Sequence, residues 1–391
     1  MEEKIIGRYF QIVVAISVLS QIESIETIAR PIMYVCWVIL FVVSLTREMR
    51  TLKLSHGTWY YLRSYAIFSL YCIICSLFSN GIHLQGNYLR AMIIPLVIMI
   101  IANCWYNRIS LRIIENVIKT YIIFSVALAL YINITYFNSY NSWLSLHEYV
   151  FMDKNSAAQI WCTAVLLCFY LIKYENKRSG IIWWIIAIYI VIVCGLSQCR
   201  TAILGLLICL LVYVIGYQKK YKFIIVLFIS IVISILLLNT KSREFIYQAL
   251  RLNLYSTFDF NTITSDRGIA INRALEYIKQ HPFIGTGKYY ADCSYISILA
   301  ESGLFGFLII ESIWVHRIYL NIRCSKEDRY NNFNVIVIMF TLFYIIESIF
   351  EGYPPFGPGV SSFMFWFLSE QHFSNNSNTN FQKSPEKPKK I

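Results

Sequence analysis

Apolar runs of near-bilayer length recur along the chain, separated by short polar intervals rich in lysine and arginine. A hydrocarbon core about 30 Å thick needs roughly 20 apolar helical residues. About twelve stretches approach that length: 9–24, 31–46, 60–78, 88–106, 117–136, 156–173, 181–196, 202–217, 222–239, 294–315, 333–350 and 359–371. The first and last are weakest, because Glu23 interrupts one and the other is short. The pattern predicts an all-α polytopic integral membrane protein of about 12 transmembrane helices, forming a single transmembrane domain over 1–373. The polar tail, 374–391, reads as disordered and cytoplasmic.

One polar interval is long enough to hold structure of its own, the loop 240–293 between the ninth and tenth spans. Within it RGIAINRALEYIKQ sets Ile269, Ile271, Ala274, Leu275 and Ile278 near helical spacing, which predicts a short amphipathic helix. Ser265 or Asp266 suits its N-cap, Pro282 ends it, and Gly285 with Gly287 supplies the turn into the next span. The helix is expected to lie along the membrane surface with its basic side toward water.

Composition narrows the class. At 57% hydrophobic and 14% charged over 391 residues, the chain is no soluble domain. Basic residues cluster in short loops: Arg47, Arg50 and Lys53; Arg108, Arg112 and Lys119; Lys173, Lys177 and Arg178; Lys219, Lys220 and Lys222; Arg317, Arg323, Lys326 and Arg329. With twelve spans these fall on one side with the lysines of the tail, which predicts both termini in the cytoplasm. The net charge of +12 is then a topology signal, and no nucleic-acid partner is needed to explain it. The loop 240–293 lies outside and still carries Lys241, Arg243, Arg251, Arg267, Arg273, Lys279 and Lys288. Long loops are less bound by the charge rule, so this is either plain hydrophilic surface or an anion-binding face.

The eleven cysteines fall mostly within spans, where a thiol acts as a small apolar residue. Cys72 and Cys75 form a CxxC in mid-helix with no partner pair; Cys199 and Cys293 sit near the outer surface, and spacing gives a disulfide between them no support. No metal-ligand spacing or nucleotide-binding glycine motif stands out, so neither metal nor cofactor is implied.

Arg200 is the sharpest single residue, a charge at the outer mouth between two spans. It either snorkels to lipid phosphate or is a fixed guanidinium aimed at a bound diphosphate, which its planar fork grips bidentately. Arg267 and Arg273 are each solvated surface or, with Arg200, the lining of a pocket for a dianionic leaving group. His281 reads as a turn residue before a base. Asp292 and Glu301 at the start of the tenth span are candidate general bases for a sugar hydroxyl; Glu301, set deeper, needs a cation or a cavity, or else makes a structural hydrogen bond. Glu347 and Glu351, four residues apart on one helical face, reach toward the same outer cavity and rank below the loop residues.

Three blocks resemble the polysaccharide polymerase and ligase superfamily of bacterial envelopes, the Wzy-type polymerases and O-antigen ligases. DKNSAAQI, with Lys154 and Asn155, is similar to its Lys-Asn entry into a span. LSQCRTAILGLL is similar to its Ser-x-Ser-Arg block, with Cys199 where serine is frequent. SDRGIAINRALEYIKQHPFIGTG followed by DCSYISILAESGLFG is similar to its arginine, amphipathic helix, Pro-x-x-Gly-x-Gly and Glu-x-Gly-x-x-Gly run. Together with the intervening spans these blocks cover about 40% of the chain, in the family's order.

The resemblance implies a GT-C-type glycosyltransferase of the bacterial inner membrane. Its donor and acceptor would be undecaprenyl-diphosphate-linked glycans, with no metal or nucleotide sugar. Arg200 and Arg267 would hold the diphosphate. It also implies dependence on a Wzz-type chain-length regulator. Ligases place a histidine where this chain has Asp292, Cys293 and Ser294, which favours a polymerase with Asp292 as first candidate base. An O-antigen ligase is the alternative of the same class. A flippase, the rival of another class, should show internal repeats or paired broken helices, and the sequence displays neither; an inert membrane scaffold is the remaining reading.

Overall fold

The computed structural model describes residues 2–48, 54–78, 87–105, 110–136, 154–174, 177–217, 238–249, 267–327, 332–357 and 361–370, and the regular elements in them are all helices. They are α1 (Glu2–Leu19), α2 (Glu23–Glu48), α3 (His56–Phe78), α4 (Asn87–Ala91), α5 (Ile93–Trp105), α6 (Leu111–Tyr136) and α7 (Lys154–Tyr174). There follow α8 (Lys177–Leu196), α9 (Arg200–Tyr217), α10 (Thr240–Ala249), α11 (Arg267–Gln280), α12 (Ser294–Glu327), α13 (Asn332–Phe350) and α14 (361–370).

The chain is a multi-pass all-helical membrane protein. Among the described residues seven helical stretches are long and apolar enough to cross a bilayer, and the shorter Gly180–Leu196 and Arg200–Val214 are apolar as well. Full internal pairing of backbone groups is what makes helices the answer to a run of apolar residues in lipid. α7 is buried along nearly its whole length and packs on α6, α8, α9 and α13, while α2 leaves Val35, Val38, Ile39, Val42 and Val43 exposed, as a lipid-facing helix does.

Several expectations from the pattern are corrected. Among the described residues, seven of the twelve expected spans reach the length and hydropathy of a crossing. The first predicted span, 9–24, is instead α1, which stops at Leu19 before a turn that leads into α2; α1 is not apolar enough to count as a crossing. Of the last, 359–371, the described residues form α14 and are all buried. The tenth span does not end at 315 but runs to Glu327. Arg317, assigned to a cytoplasmic loop, therefore lies inside α12. Two helices are broken, contrary to expectation: α4 gives way to α5 at Met92, and α12 is interrupted at Gly303, where φ is 64°. Most of the span 222–239, residues 250–266 of the outer loop with the N-cap candidates Ser265 and Asp266, most of the 137–154 segment and the tail lie outside the described residues.

The break at Gly303 has a backbone solution. In a continuous helix Leu304 and Phe305 would donate to the carbonyls of Ala300 and Glu301. Here the Leu304 and Phe305 N–H groups donate to Pro282 O (2.9 Å) and Phe283 O (3.4 Å), and the freed carbonyls accept from Thr286 N–H (2.9 Å) and Gly287 N–H (2.8 Å). Ser302 O accepts the Tyr71 hydroxyl at 2.7 Å. Every exchanged bond is replaced, as a buried break requires. The close approach needs two glycines: a Cβ on Gly285 (φ 78°) would lie 2.4 Å from Glu301 O, and one on Gly303 would lie 2.3 Å from Phe283 C.

Arg317 finds its partner in α14. Its guanidinium meets Glu370 Oε2 at 2.7 Å, with the two side chains 2% and 1% exposed. Glu370 Oε1 accepts Asn103 Nδ2 from α5 at 3.0 Å and the Ser55 hydroxyl ahead of α3. The Arg317 head also lies 5.6 Å from the Trp366 ring centroid. Four separate chain segments converge on one ion pair. Removing one partner of a buried pair leaves an uncompensated charge, a loss of about 3–5 kcal/mol, whereas replacing both with apolar residues is often neutral. Glu370→Gln should therefore lower the thermal unfolding midpoint in detergent sharply, and the double variant Arg317→Met/Glu370→Met should recover most of it.

Candidate functional site

The predicted amphipathic helix is present with the expected bounds, Arg267–Gln280. Ala274 is fully buried and Ile278 partly so, packing with Tyr289, Ala291, Ile296 and Ala300, while Ile269 and Leu275 stay exposed. Its C-terminal end is closed by the His281 N–H donating to Tyr277 O and the Gly285 N–H to His281 O. The turn with positive φ at Gly285 and Gly287 then feeds the bonds made to the broken helix. This docking fixes the direction of α11 and so the position of its first residue, Arg267.

Arg267 stands between two carboxylates. Its Nε lies 3.2 Å from Asp292 Oδ2, and its NH2 donates to Glu351 Oε1 at 2.9 Å. Burial pulls the guanidinium pKa down, but Glu351 and then Asp292 more than offset this, so it moves up and the charge is permanent. The two acids differ in access: the Asp292 side chain is 33% exposed and that of Glu351 is 6%. Guanidinium carries five N–H donors, so a two-point hold leaves others for a further anion.

A second group of side chains joins from α7, α9 and α13. Between α8 and α9 the chain turns tightly through Gln198, held at φ 52°, a conformation uncommon for a residue with a side chain. That turn places Cys199 to donate to Asn155 Oδ1 at 3.3 Å and sets Arg200, half-buried, at the start of α9. Gln159 donates to Glu347 Oε2 at 2.7 Å and accepts from Ser361 at 3.3 Å. The buried Cys199 lies near enough to Glu347, Glu351 and Arg267 to feel their charges.

The structure thus brings Arg267 together with Asp292 and Glu351, and separately Asn155 with Cys199 and Gln159 with Glu347, while Arg200 follows Cys199 at the start of α9. Glu301 is nearby but engaged differently: buried, it accepts the Tyr88 N–H at 3.0 Å at the start of α4, with no cation bonded to it among the described residues. Arg273, His281 and Lys288 are exposed on the α11 side, with Arg273 close enough to Tyr289 to oppose the upward shift that burial gives that phenol. Lys154 begins α7, and its side chain lies outside the described residues. No disulfide joins the cysteines among the described residues, and Cys199 and Cys293 are both buried. Sequence reasoning ranked Glu351 low and overlooked Gln159; the four-residue spacing of Glu347 and Glu351 was the available signal for the first.

Residues 185–310 match the model of the O-antigen ligase family. That stretch runs from α8 into α12 and holds Arg200, Arg267, Asp292 and Glu301. No curated protein matches the chain. The match supports the O-antigen ligase and polymerase superfamily and, at that coarse level, a glycosyltransferase-like role in the membrane.

Arg267→Met would strand Glu351 as a buried, unpaired carboxylate, a loss approaching 3 kcal/mol in the fully buried limit. The expected outcome is a lower unfolding midpoint in detergent, partly restored when Glu351→Gln is added to the same chain.

Proposed function

We propose that the protein is a polysaccharide polymerase. It joins undecaprenyl-diphosphate-linked oligosaccharide repeat units into O-antigen, capsular or exopolysaccharide chains on the outer side of the bacterial inner membrane. The observation that carries this reading is Arg267 held between Asp292 and Glu351, within the stretch that matches the family.

The chemistry follows from the charges. A hydroxyl of the acceptor sugar attacks the anomeric carbon of the donor glycan as the bond from that carbon to the diphosphate oxygen breaks. The hydroxyl proton passes to Asp292, the more open carboxylate. Negative charge builds on the departing undecaprenyl diphosphate, and Arg200 with the remaining donors of Arg267 stabilises it in a site already organised before reaction. Glu351, buried, anchors Arg267 from behind. The glycosyl–diphosphate bond that breaks supplies the driving force, so the scheme calls for no nucleotide and no metal. Both termini lie in the cytoplasm in this reading, and a Wzz-type regulator sets chain length.

The second reading is an O-antigen ligase, favoured by the description of the matching family; it shares the donor and replaces the acceptor with lipid A-core. A flippase would use broken helices as well; here Glu301, two residues before the break at Gly303, accepts the Tyr88 N–H at the start of α4.

A strain lacking the gene, its surface glycan resolved by gel against its parent, tests the class. In an O-antigen strain, core capped with a single repeat unit and no ladder is the expected result. Bare core with polymer stranded on its lipid carrier indicates the ligase, and repeat units trapped in the cytoplasmic leaflet overturn both. Arg200→Ala and Arg267→Ala should each abolish the ladder while the protein remains in the membrane; normal-length polymer from both would remove the diphosphate assignment.

A further inference from the structure

The two carboxylates around Arg267 each have a tyrosine two residues away: Tyr290 precedes Asp292, and Tyr353 follows Glu351. The rings meet, with centroids 5.3 Å apart at 37°. Tyr353 is half-buried and has Tyr88 behind it, centroids 5.9 Å apart. The Tyr88 hydroxyl donates to the Gly352 carbonyl, which pins the turn carrying Tyr353. Tyr290 rests against Gly352 so closely that a Cβ there would lie 2.4 Å from its Cε2 and 2.7 Å from Ala291 O. A glycine is needed under the ring. Yet Tyr290 remains 47% exposed.

A large aromatic ring is thus held in a fixed orientation and left open, beside a guanidinium and two carboxylates. Tyrosines at a membrane boundary often serve as interfacial anchors on the lipid-facing perimeter. These two sit instead on the loops that deliver Asp292 and Glu351 to Arg267. A pyranose ring presents a face of C–H groups made slightly positive by the neighbouring oxygens, which suits the negative face of an aromatic ring. Its hydroxyl edges suit carboxylate acceptors.

We propose that Tyr290 and Tyr353 form the platform on which a pyranose ring of the glycan stacks as it enters the site. The inference rests on the glycan-transfer reading and adds to it the part of the site that holds sugar rather than diphosphate. The platform selects for sugars with an uninterrupted C–H face. Gly352 is the positioning residue that keeps Tyr290 in place.

The test uses the full-length protein in nanodiscs. The probe is the repeat-unit oligosaccharide released from the host's own surface glycan, carrying no lipid or phosphate. Tyr290→Trp should report its binding as a saturable fluorescence change. Adding Tyr353→Ala should weaken that binding about tenfold, the scale of one lost aromatic contact. Binding measured by calorimetry should fall similarly in Tyr290→Ala and in Gly352→Ala, and recover in Tyr290→Phe, which keeps the ring. Unchanged glycan affinity in Tyr290→Ala and Tyr353→Ala overturns the proposal, as does a loss confined to membrane yield and thermal stability, which marks the rings as interfacial anchors. Should the tyrosine variants lose glycan while Arg267→Ala cells still make normal polymer, the platform stands and the transfer scheme fails.

Discussion

In hydrocarbon no water is available to complete an unfinished hydrogen bond, and that constraint organises the region around Gly303. A helix interrupted at Gly303 releases carbonyls and amides that must be paired on the spot. The loop from Pro282 to Gly287 pairs them, carbonyl for amide and amide for carbonyl, with Tyr71 taking the carbonyl of Ser302. The exchange fastens the extramembrane helix α11 to the broken helix α12. Arg267, Asp292 and Tyr290 inherit their positions from it. Gly285 and Gly303 are there because two backbones touch, and any side chain would separate them.

Upon that frame the site mixes fixed and open groups. Arg267 is held from two sides, by a buried acid and by a more accessible one. Asn155, Cys199 and Arg200 arrive from another part of the bundle through a turn strained at Gln198. The buried pair Arg317–Glu370 does comparable work elsewhere in the fold, joining segments far apart in sequence by charge instead of shape. Apolar packing between helices has little directional preference in lipid, and polar contacts of this kind give the bundle a specific register.

Much of this was legible in the sequence where the signal is local. The 267–280 helix, its stop at Pro282 and the glycine turn follow from periodicity and from backbone preferences carried by a few residues. The span count was not legible, because apolar content alone does not separate a lipid-facing helix from one enclosed by others. The stretch 361–370 is buried protein core with the composition of membrane. Arg317 reads as loop charge because positive charge near a span end usually is; its partner lies 53 residues further on. The same distance in sequence hid the pairing of Arg267 with Glu351, and the breaks at Met92 and Gly303 leave no proline at the break itself to announce them.

The contact between Arg267 and Glu351 spans 84 residues, and α12 and α13 lie between them. A chain inserted in order of synthesis has its arginine in place long before the acid that orients it exists. Until α13 is in place, Arg267 has only Asp292 to pair with, and Tyr290 has neither Gly352 nor Tyr353 to lie against. The cluster around Arg267 is thus closed by the last part of the bundle to be made.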